Sequence, residues 1–397
     1  MNDVKSGPPA KRIPFIDVAK GLGILLVFYG HLIERFIGRG PEAAAEQMRW
    51  IYCFHMPLFF FLSGLVYKER EIAAETFLKR QTVSRLVPAW AFNFLGLLIL
   101  VSVTFLAGQG APQSGFMTLF ASKAARFGWE TLFGRPTFNI LMWFLTCLFV
   151  VELIQFAARK LLRRTVWLLA SMAVFAGLTF VTTYYRTLIA DLWGSLPYDA
   201  GLLKLDFWHV SSALSAIVFY QAGILLQRAN LLTGLTRPLL FAVLGAVGLG
   251  LTVLTFNWNQ PLFPVVFVAH GAYGNVGWFF FTAFAGIAFI VGLAGLLSFS
   301  RPLVYLGQVT LGLMCLDGIL HAAVNVPLAG QVSQFIPKDS VLSLTLVCTV
   351  LTLLSVLICL PLVWFLDRYA PILLGRTARP SATGESAVAV PGALPLK

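Results

Sequence analysis

The sequence predicts an all-α, polytopic membrane protein with about ten transmembrane helices in one bundle. Hydrophobic residues make up 58% of its 397 residues and charged residues only 12%, and the mean hydropathy is +0.82. A soluble globular protein is about a quarter charged. Apolar runs of about 20 residues, the length that crosses a bilayer as a helix, recur along the chain. Both observations argue against a soluble protein.

Ten apolar runs are the predicted helices, and they form one transmembrane domain over residues 14–367. Residues 1–13 precede it as a cytoplasmic N-terminus. Residues 368–397 are rich in Pro, Ala, Gly and Ser and are predicted to be a disordered cytoplasmic tail. The ten runs are 14–33, 51–67, 86–107, 139–157, 166–184, 209–227, 238–256, 277–297, 303–322 and 342–366.

The Lys and Arg residues predict the orientation of the bundle. The N-terminus, every second loop after it and the tail together hold 19 of the 29 bases, and the intervening loops hold 9. Because cytoplasmic loops are enriched in Lys and Arg, both termini are predicted to lie in the cytoplasm, with the chain in the inner (plasma) membrane. The net charge of +12 therefore reflects topology, and nucleic acid is not an expected partner.

The first run, which contains KGLGILLVFYGH, carries ionisable side chains at helical spacing. Lys20 and His31 are eleven residues apart, about three turns, so they share one helix face and lie roughly 16 Å apart. Asp17 falls on the same face, one turn before Lys20. Ionisable groups inside a membrane helix usually face the bundle interior and mark a site. The alternatives to a functional site are an Asp17–Lys20 pair that snorkels to the membrane interface and a His31 that lies at the interface. These charges also interrupt the first run, so a cleaved signal peptide is not expected.

The second and third runs add a histidine and a cluster of bases. His55 stands at the outer end of the second run, two residues before Pro57. Because the loop 34–50 is short, His55 is expected near His31. The segment 68–85, which leads into the third run, holds five bases. Clustered Lys and Arg form a natural receptor for a polyanionic ligand.

Later runs contain further polar residues. Glu152 lies deep in the fourth run, where it is read as a polar contact within the bundle. In the ninth run Asp317 precedes His321 by one turn, and a carboxylate at this spacing can orient an imidazole and fix its tautomer. The alternative is a buried polar pair that only packs helices. The five cysteines lie in apolar runs without metal-binding spacing, so no metal is expected.

Several of these stretches resemble signatures of one family. Over about residues 12–325 the chain resembles the integral-membrane acyltransferase 3 family, close to its fucose 4-O-acetylase-like branch. Two motifs are specific: a basic residue followed after ten residues by histidine in the first helix, and the motif of the second helix. The last two motifs would be weak alone. The stretches are IDVAKGLGILLVFYGH, FHMPLFFFLSG, FLKRQTVSRLVPAW, WFLTCLF at 143–149 and YLGQVTLGLMCLDGILH at 305–321.

The resemblance implies an activity. The donor would be an acyl-CoA from the cytoplasm, normally acetyl-CoA, and the acceptor would be a hydroxyl, commonly on a sugar of a cell-surface or lipid-linked glycan. Membrane lipid would surround the bundle. The essential pair would be Lys20 and His31, and we assign Asp17 to the catalytic group with them. A fused extracytoplasmic hydrolase-like domain is not expected, since none follows residue 367.

The resemblance also implies supporting residues. The basic run into the third helix is usually RxxR in the family, but here Thr82 takes the place of the first arginine if Arg85 is the second. Side chains expected to bind CoA phosphates are Lys79, Arg80 and Arg85. Side chains expected to bind substrate or support catalysis are His55, Trp143, Asp317 and His321.

The residues are consistent with a mechanism of acyl transfer. The 79–85 run and Lys20 would hold CoA at the cytoplasmic side, the pantetheine arm would extend into the bundle, and His31 would serve as general base or transient acyl acceptor. A transporter or flippase for a lipid or glycan is the second interpretation, because polar residues along a membrane helix also serve transport. A membrane sensor or scaffold is the third. Consumption of acetyl-CoA distinguishes the first from the other two.

Overall fold

The structure, a computed structural model, confirms an all-α fold. Every regular element in the part of the chain that it describes is helical. The described residues are 13–38, 41–69, 71–106, 115–192, 207–230, 237–259, 266, 268–271, 273–337 and 340–376.

Fifteen α-helices occur within those ranges, numbered here in chain order. They are α1 Pro14–Glu34, α2 Ala43–Tyr52, α3 His55–Leu65, α4 Ala74–Gln81, α5 Val87–Leu106, α6 Phe116–Leu132, α7 Trp143–Ala157, α8 Thr165–Leu192, α9 Val210–Arg228, α10 Pro238–Thr255, α11 Val276–Leu296, α12 Arg301–Gln308, α13 Thr310–Leu320, α14 Val326–Val332 and α15 Val341–Tyr369. Two π-helical turns, Thr82–Leu86 and His321–Asn325, join α4 to α5 and α13 to α14.

The described helices make this a multi-pass membrane protein. Eight helical stretches among them are long and apolar enough to cross a membrane, and the bent pair of α12 and α13 makes nine. These nine correspond to nine of the ten predicted runs. The exception is the second run, so the count of ten stays a prediction.

The second predicted run, 51–67, is wrong as one continuous helix. α2 ends at Tyr52 and α3 begins at His55, because Phe54 leaves the helical conformation (φ −136°, ψ −18°). Pro57 lies in the first turn of α3, where its missing N–H has no helical partner to lose. α3 has only 11 residues, and ten of them are buried. It is therefore an interior element of the bundle.

The ninth predicted run, 303–322, is also not straight. α12 and α13 meet at an angle of 75°. α12 packs backbone to backbone on α1, since a Cβ on Gly307 would overlap the backbone oxygen of Asp17, and a Cβ on Gly21 would overlap that of Leu303. Glycines at both contacts allow this close approach. Packing against α1 thus sets the direction of α12.

The start of the predicted disordered tail is ordered. α15 continues to Tyr369, and a 3₁₀ turn follows over Pro371–Leu374. Leu374 is 3% exposed, and Gly375, with a φ of +68°, lies against the backbone of Ser84. The apolar side chains of this turn reach the core, which a composition average over the whole tail does not show. Residues 377–397, and 1–12 at the other end, lie outside the described residues.

The centre of the bundle is built around α1, α3, α7, α9 and α11. α3 and α9 touch through their backbones. A Cβ on Gly64 would overlap the backbone oxygen of Tyr220, and a Cβ on Gly223 would overlap the backbone oxygen of Phe61. Large buried aromatic side chains fill the remaining space. This packing places the ends of α1 and α3 at two separate cavities.

Candidate active site

Two cavities lie at opposite ends of α1 and α3. We call the first the histidine cavity, because His31, His55, His270 and His321 line it; its volume is about 330 Å³. We call the second the basic cavity, because Lys20, Lys68, Arg80 and Arg85 line it; its volume is about 550 Å³. α1 contributes to both cavities, with Lys20 in one and His31 in the other.

His31 is held by a carboxylate from another helix. Its Nδ1 lies 2.8 Å from Oδ2 of Asp317, and Asp317 on α13 is 0% exposed. With Nδ1–H donating to this carboxylate, Nε2 is left as a proton acceptor. The prediction that Asp317 orients His321 is therefore wrong. The bend between α12 and α13 turns Asp317 toward α1.

His321 has a different partner. Nε of Arg35 donates a hydrogen bond of 2.9 Å to Nε2 of His321, which must be unprotonated to accept it. The imidazole rings of His321 and His31 are 5.7 Å apart between centroids. His321 begins a π-helical turn, a departure from the α-helix that is frequent at functional sites.

His55 lies in the same cavity as His31, as expected. Its Nδ1 is 2.9 Å from the backbone oxygen of Ile51, to which it donates, so its Nε2 is the acceptor. The ring packs 4.8 Å from that of Tyr52, whose hydroxyl donates to Oε2 of Glu34 at 3.1 Å. The break between α2 and α3 produces this arrangement, because it starts a new helix at His55.

Five polar residues of the histidine cavity were missed by the sequence analysis as site residues: Glu34, Arg35, Tyr52, Thr137 and His270. Glu34 and Arg35 follow His31 by three and four residues, so helical periodicity could have placed them on its face. Tyr52 and His270 carry no such local signal. Trp143, which was expected to support the site, lines this cavity.

The basic cavity contains two of the three predicted phosphate-binding residues, Arg80 and Arg85, whereas Lys79 is exposed on α4 and does not line it. Residues five apart on an α-helix point about 140° away from each other. The π-helical turn over Thr82–Leu86, closed by a bond from the N–H of Val87 to the oxygen of Thr82, reduces that divergence. It explains how a spacing other than RxxR places both arginines at one cavity.

Arg85 is also a structural residue. Its Nε and Nη2 donate to the carboxylate of Glu152 at 3.0 and 2.8 Å. Glu152 on α7 is 8% exposed and lines the basic cavity with Arg85. Such a bidentate pair fixes the guanidinium in one position.

Asp17 differs from Lys20 and His31, the other proposed catalytic residues, in its position relative to the cavities. It lines neither cavity, is half-buried near the start of α1, and its backbone forms the contact with Gly307. Its pairing with Lys20 stays a prediction. Within the described residues, no group of three or more His, Cys, Asp or Glu side chains could hold a metal ion.

Comparisons with known proteins identify the family of the chain. A family model described as an acyltransferase domain matches residues 13–364. The nodulation protein NolL of Mesorhizobium japonicum is 46% identical over 50 residues, which are 12% of this chain and 13% of that protein. The match therefore spans only a small part of the relative's length. No solved structure matches. Since the family model covers most of the chain, the protein belongs to the acyltransferase 3 family of membrane acyltransferases.

Proposed function

We propose that the protein transfers an acetyl group from acetyl-CoA to a hydroxyl of a sugar in a cell-surface or lipid-linked glycan. The observation that carries this proposal is that His31, held by the buried Asp317, lines a cavity at one end of α1, and that a cation-lined cavity lies at the other end. The fucose 4-O-acetylase-like branch remains a prediction about the sugar.

His31 and Asp317 have the geometry of a base held by a carboxylate. Asp317 keeps the proton on Nδ1 of His31, so Nε2 is free of a proton and takes the one on the acceptor hydroxyl. The hydroxyl oxygen attacks the thioester carbonyl carbon as it loses this proton. The C–O bond forms, the C–S bond breaks, and the sulfur leaves with the electron pair. The proton held by His31 then passes to the sulfur, so CoA leaves as a thiol. Transient acylation of Nε2 is the alternative order of events.

The basic cavity suits the anionic end of the donor. Four cations line it, and the carboxylate of Glu152 already pairs with Arg85. Phosphate groups are bound by such clusters of Lys and Arg. Lys20 and His31 are eleven residues apart on α1, or roughly 16 Å. That distance is comparable to the reach of an extended pantetheine arm.

The histidine cavity suits a sugar. Its volume of about 330 Å³ is within the range of roughly 300–1,000 Å³ that is usual for small-molecule sites. Its lining combines the aromatic residues Tyr52, Phe138 and Trp143 with the polar Glu34 and Thr137. Aromatic faces pack on the apolar faces of sugar rings, and polar side chains bond to the hydroxyls.

The orientation follows from the base count. With 19 bases on the side of both termini and 9 on the other, we assign both termini in this proposal to the cytoplasmic side of the inner membrane. The segment 68–85 contributes Lys68, Arg80 and Arg85 to the basic cavity, so in this proposal the basic cavity faces the cytoplasm, where acyl-CoA is present. The histidine cavity opens toward the other side.

The test is release of the CoA thiol by the purified protein, with acetyl-CoA as donor and free sugars as acceptors. We expect release by the wild type and its loss in His31→Gln. The matched control is His209→Gln, since His209 is a buried histidine that lines neither cavity. Equal loss in both variants would assign the effect to folding. A folded protein that neither binds nor consumes acetyl-CoA would favour the transporter or scaffold interpretation.

A further inference from the structure

The histidine cavity and the basic cavity are separate. Among the residues that the structure describes, the two share no lining side chain. Helices α1, α3 and α7 nevertheless line both of them. Under the proposed function, on which this inference rests, a donor held at Lys20 reacts at His31. Its thioester end therefore has to cross the layer between the cavities.

Phe59 lies in that layer. On α3, Met56 lines the histidine cavity and Ser63 lines the basic cavity, and Phe59 is one turn from each. On α1, Val27 and Lys20 line the same two cavities, with Gly23 between them.

The Phe59 ring spans the space from α3 to α1. A Cβ added to Gly23 would lie 2.9 Å from Cζ of Phe59, so the tip of the ring rests on the α1 backbone. On the other side, the ring of Phe144 on α7 is 6.0 Å away between centroids. Ile24, which follows Gly23, is 0% exposed. The Phe59 side chain on α3 thus contacts α1 and α7, the two other helices that line both cavities.

We propose that the Phe59 ring is the gate between the two cavities and sets the width of the acyl group that passes from the donor to His31. A ring that turns about its χ1 and χ2 angles admits a narrow chain such as an acetyl thioester on its pantetheine arm. A branched acyl group needs more room than the close-packed layer leaves. When no donor is present, the ring closes the path through the bundle.

The first test measures access without measuring activity. Val27→Cys places a thiol in the histidine cavity, and a small membrane-impermeant methanethiosulfonate is applied to sealed vesicles of each orientation. We expect labelling from the histidine-cavity side only. Adding Phe59→Ala should permit labelling from the basic-cavity side as well. Phe59→Ala without the new cysteine measures the background from the five native cysteines, all of which are buried.

The second test measures selectivity. With Phe59 intact, CoA thiol release should fall sharply from acetyl-CoA and butyryl-CoA to the branched isobutyryl-CoA. Phe59→Ala should raise the isobutyryl-to-acetyl ratio about tenfold or more, the discrimination that one methyl group commonly provides. Phe61→Ala is the matched control, because Phe61 is 6% exposed against 7% for Phe59 and points to the opposite side of α3. Phe59→Leu replaces Phe59→Ala if the latter does not fold.

The outcomes separate this inference from the proposed function. Labelling from the basic-cavity side with Phe59 intact, or none after Phe59→Ala, would overturn the gate. Labelling as expected with an unchanged acyl ratio would overturn the width selection. The wild type could release no thiol from any of the three acyl-CoAs while labelling still depends on Phe59. In that case the proposed function fails and the gate stands.

Discussion

At the scale of single residues, the carboxylate of Asp317 is the most informative group. It is fully buried, and only one of its oxygens has a hydrogen-bond partner among the described residues, His31. Burying a carboxylate is costly unless it is hydrogen-bonded to a polar or charged group. Asp317 is therefore best explained by its effect on His31, whose tautomer and orientation it determines.

We predict that Asp317→Asn removes most of the activity. The amide keeps the volume of the carboxylate but not its charge, so it can leave His31 in the wrong tautomer, an exchange that costs up to about 10⁴-fold in kcat in a catalytic triad. The KM for acetyl-CoA should change little, because Asp317 is outside the basic cavity. The measurement is steady-state thiol release.

The control for this variant is Asp367→Asn. Asp367 is an exposed carboxylate on α15 that pairs with Arg376, so its loss should leave kcat unchanged. A wild-type kcat in a folded Asp317→Asn protein would contradict the role given to Asp317.

A second residue-scale feature is the bond from Arg35 to His321. By donating to Nε2, Arg35 keeps this imidazole from taking the proton of a hydroxyl at that nitrogen. The rings of His31 and His321 are 5.7 Å apart between centroids. Of these two histidines, only His31 has a carboxylate bonded to its Nδ1, which leaves its Nε2 as the proton acceptor. This contrast supports His31 as the base.

At the scale of elements, the ion pair of Arg85 and Glu152 connects the π-helical turn before α5 to α7. Glu152 is buried, and about a quarter of the Arg85 side chain is exposed. Removing one partner of a buried pair leaves an uncompensated charge. This pair therefore supports the wall of the basic cavity.

We predict that Glu152→Leu lowers the stability by about 1–3 kcal/mol, less than for a fully buried pair because Arg85 is partly exposed. The double variant Arg85→Met/Glu152→Leu should recover part of this loss, since it leaves no buried charge. Thermal unfolding in detergent, followed by tryptophan fluorescence, measures both. Equal melting of the wild type and the single variant would contradict the structural role.

The same two variants separate stability from donor binding. Glu152→Leu retains the Arg85 cation and should retain affinity for acetyl-CoA, whereas the double variant should bind it more weakly. Equilibrium dialysis with labelled acetyl-CoA gives the affinities. Equal affinities would remove Arg85 from the donor site.

At the scale of the whole molecule, the proposed function requires the two cavities to open on different sides of the membrane. A cytoplasmic donor and an outer acceptor are compatible with one bundle only if the chain alternates as the base count predicts. Residues Leu161 and Trp258 test this, because they lie in loops predicted to face opposite sides and are 53% and 52% exposed.

We predict that an impermeant maleimide applied to intact cells labels Trp258→Cys and not Leu161→Cys. In inside-out vesicles the labelling should reverse. The native cysteines within the described residues are buried, so they contribute little background. Labelling of both positions from one side would contradict the alternation and with it the assignment of the basic cavity to the cytoplasm.

The sequence by itself determined the fold class, nine of the membrane runs and one helix face. Composition and run length depend on local chemistry, and a periodicity of 3.6 residues places Lys20, Val27 and His31 on one side of α1, where the structure has the cavities. The spacing of His31 and Lys20 could therefore be interpreted without knowing any other helix.

Only the tertiary structure decided which residues meet. Asp317 is 286 positions from His31, and its own helix offers a nearer histidine, so local spacing predicted the wrong partner. The direction of α13 depends on the bend after α12, which depends on glycine contacts with α1. Contacts of this kind arise from the packing of whole helices, and a one-dimensional pattern carries no information about the angle at which two distant helices cross.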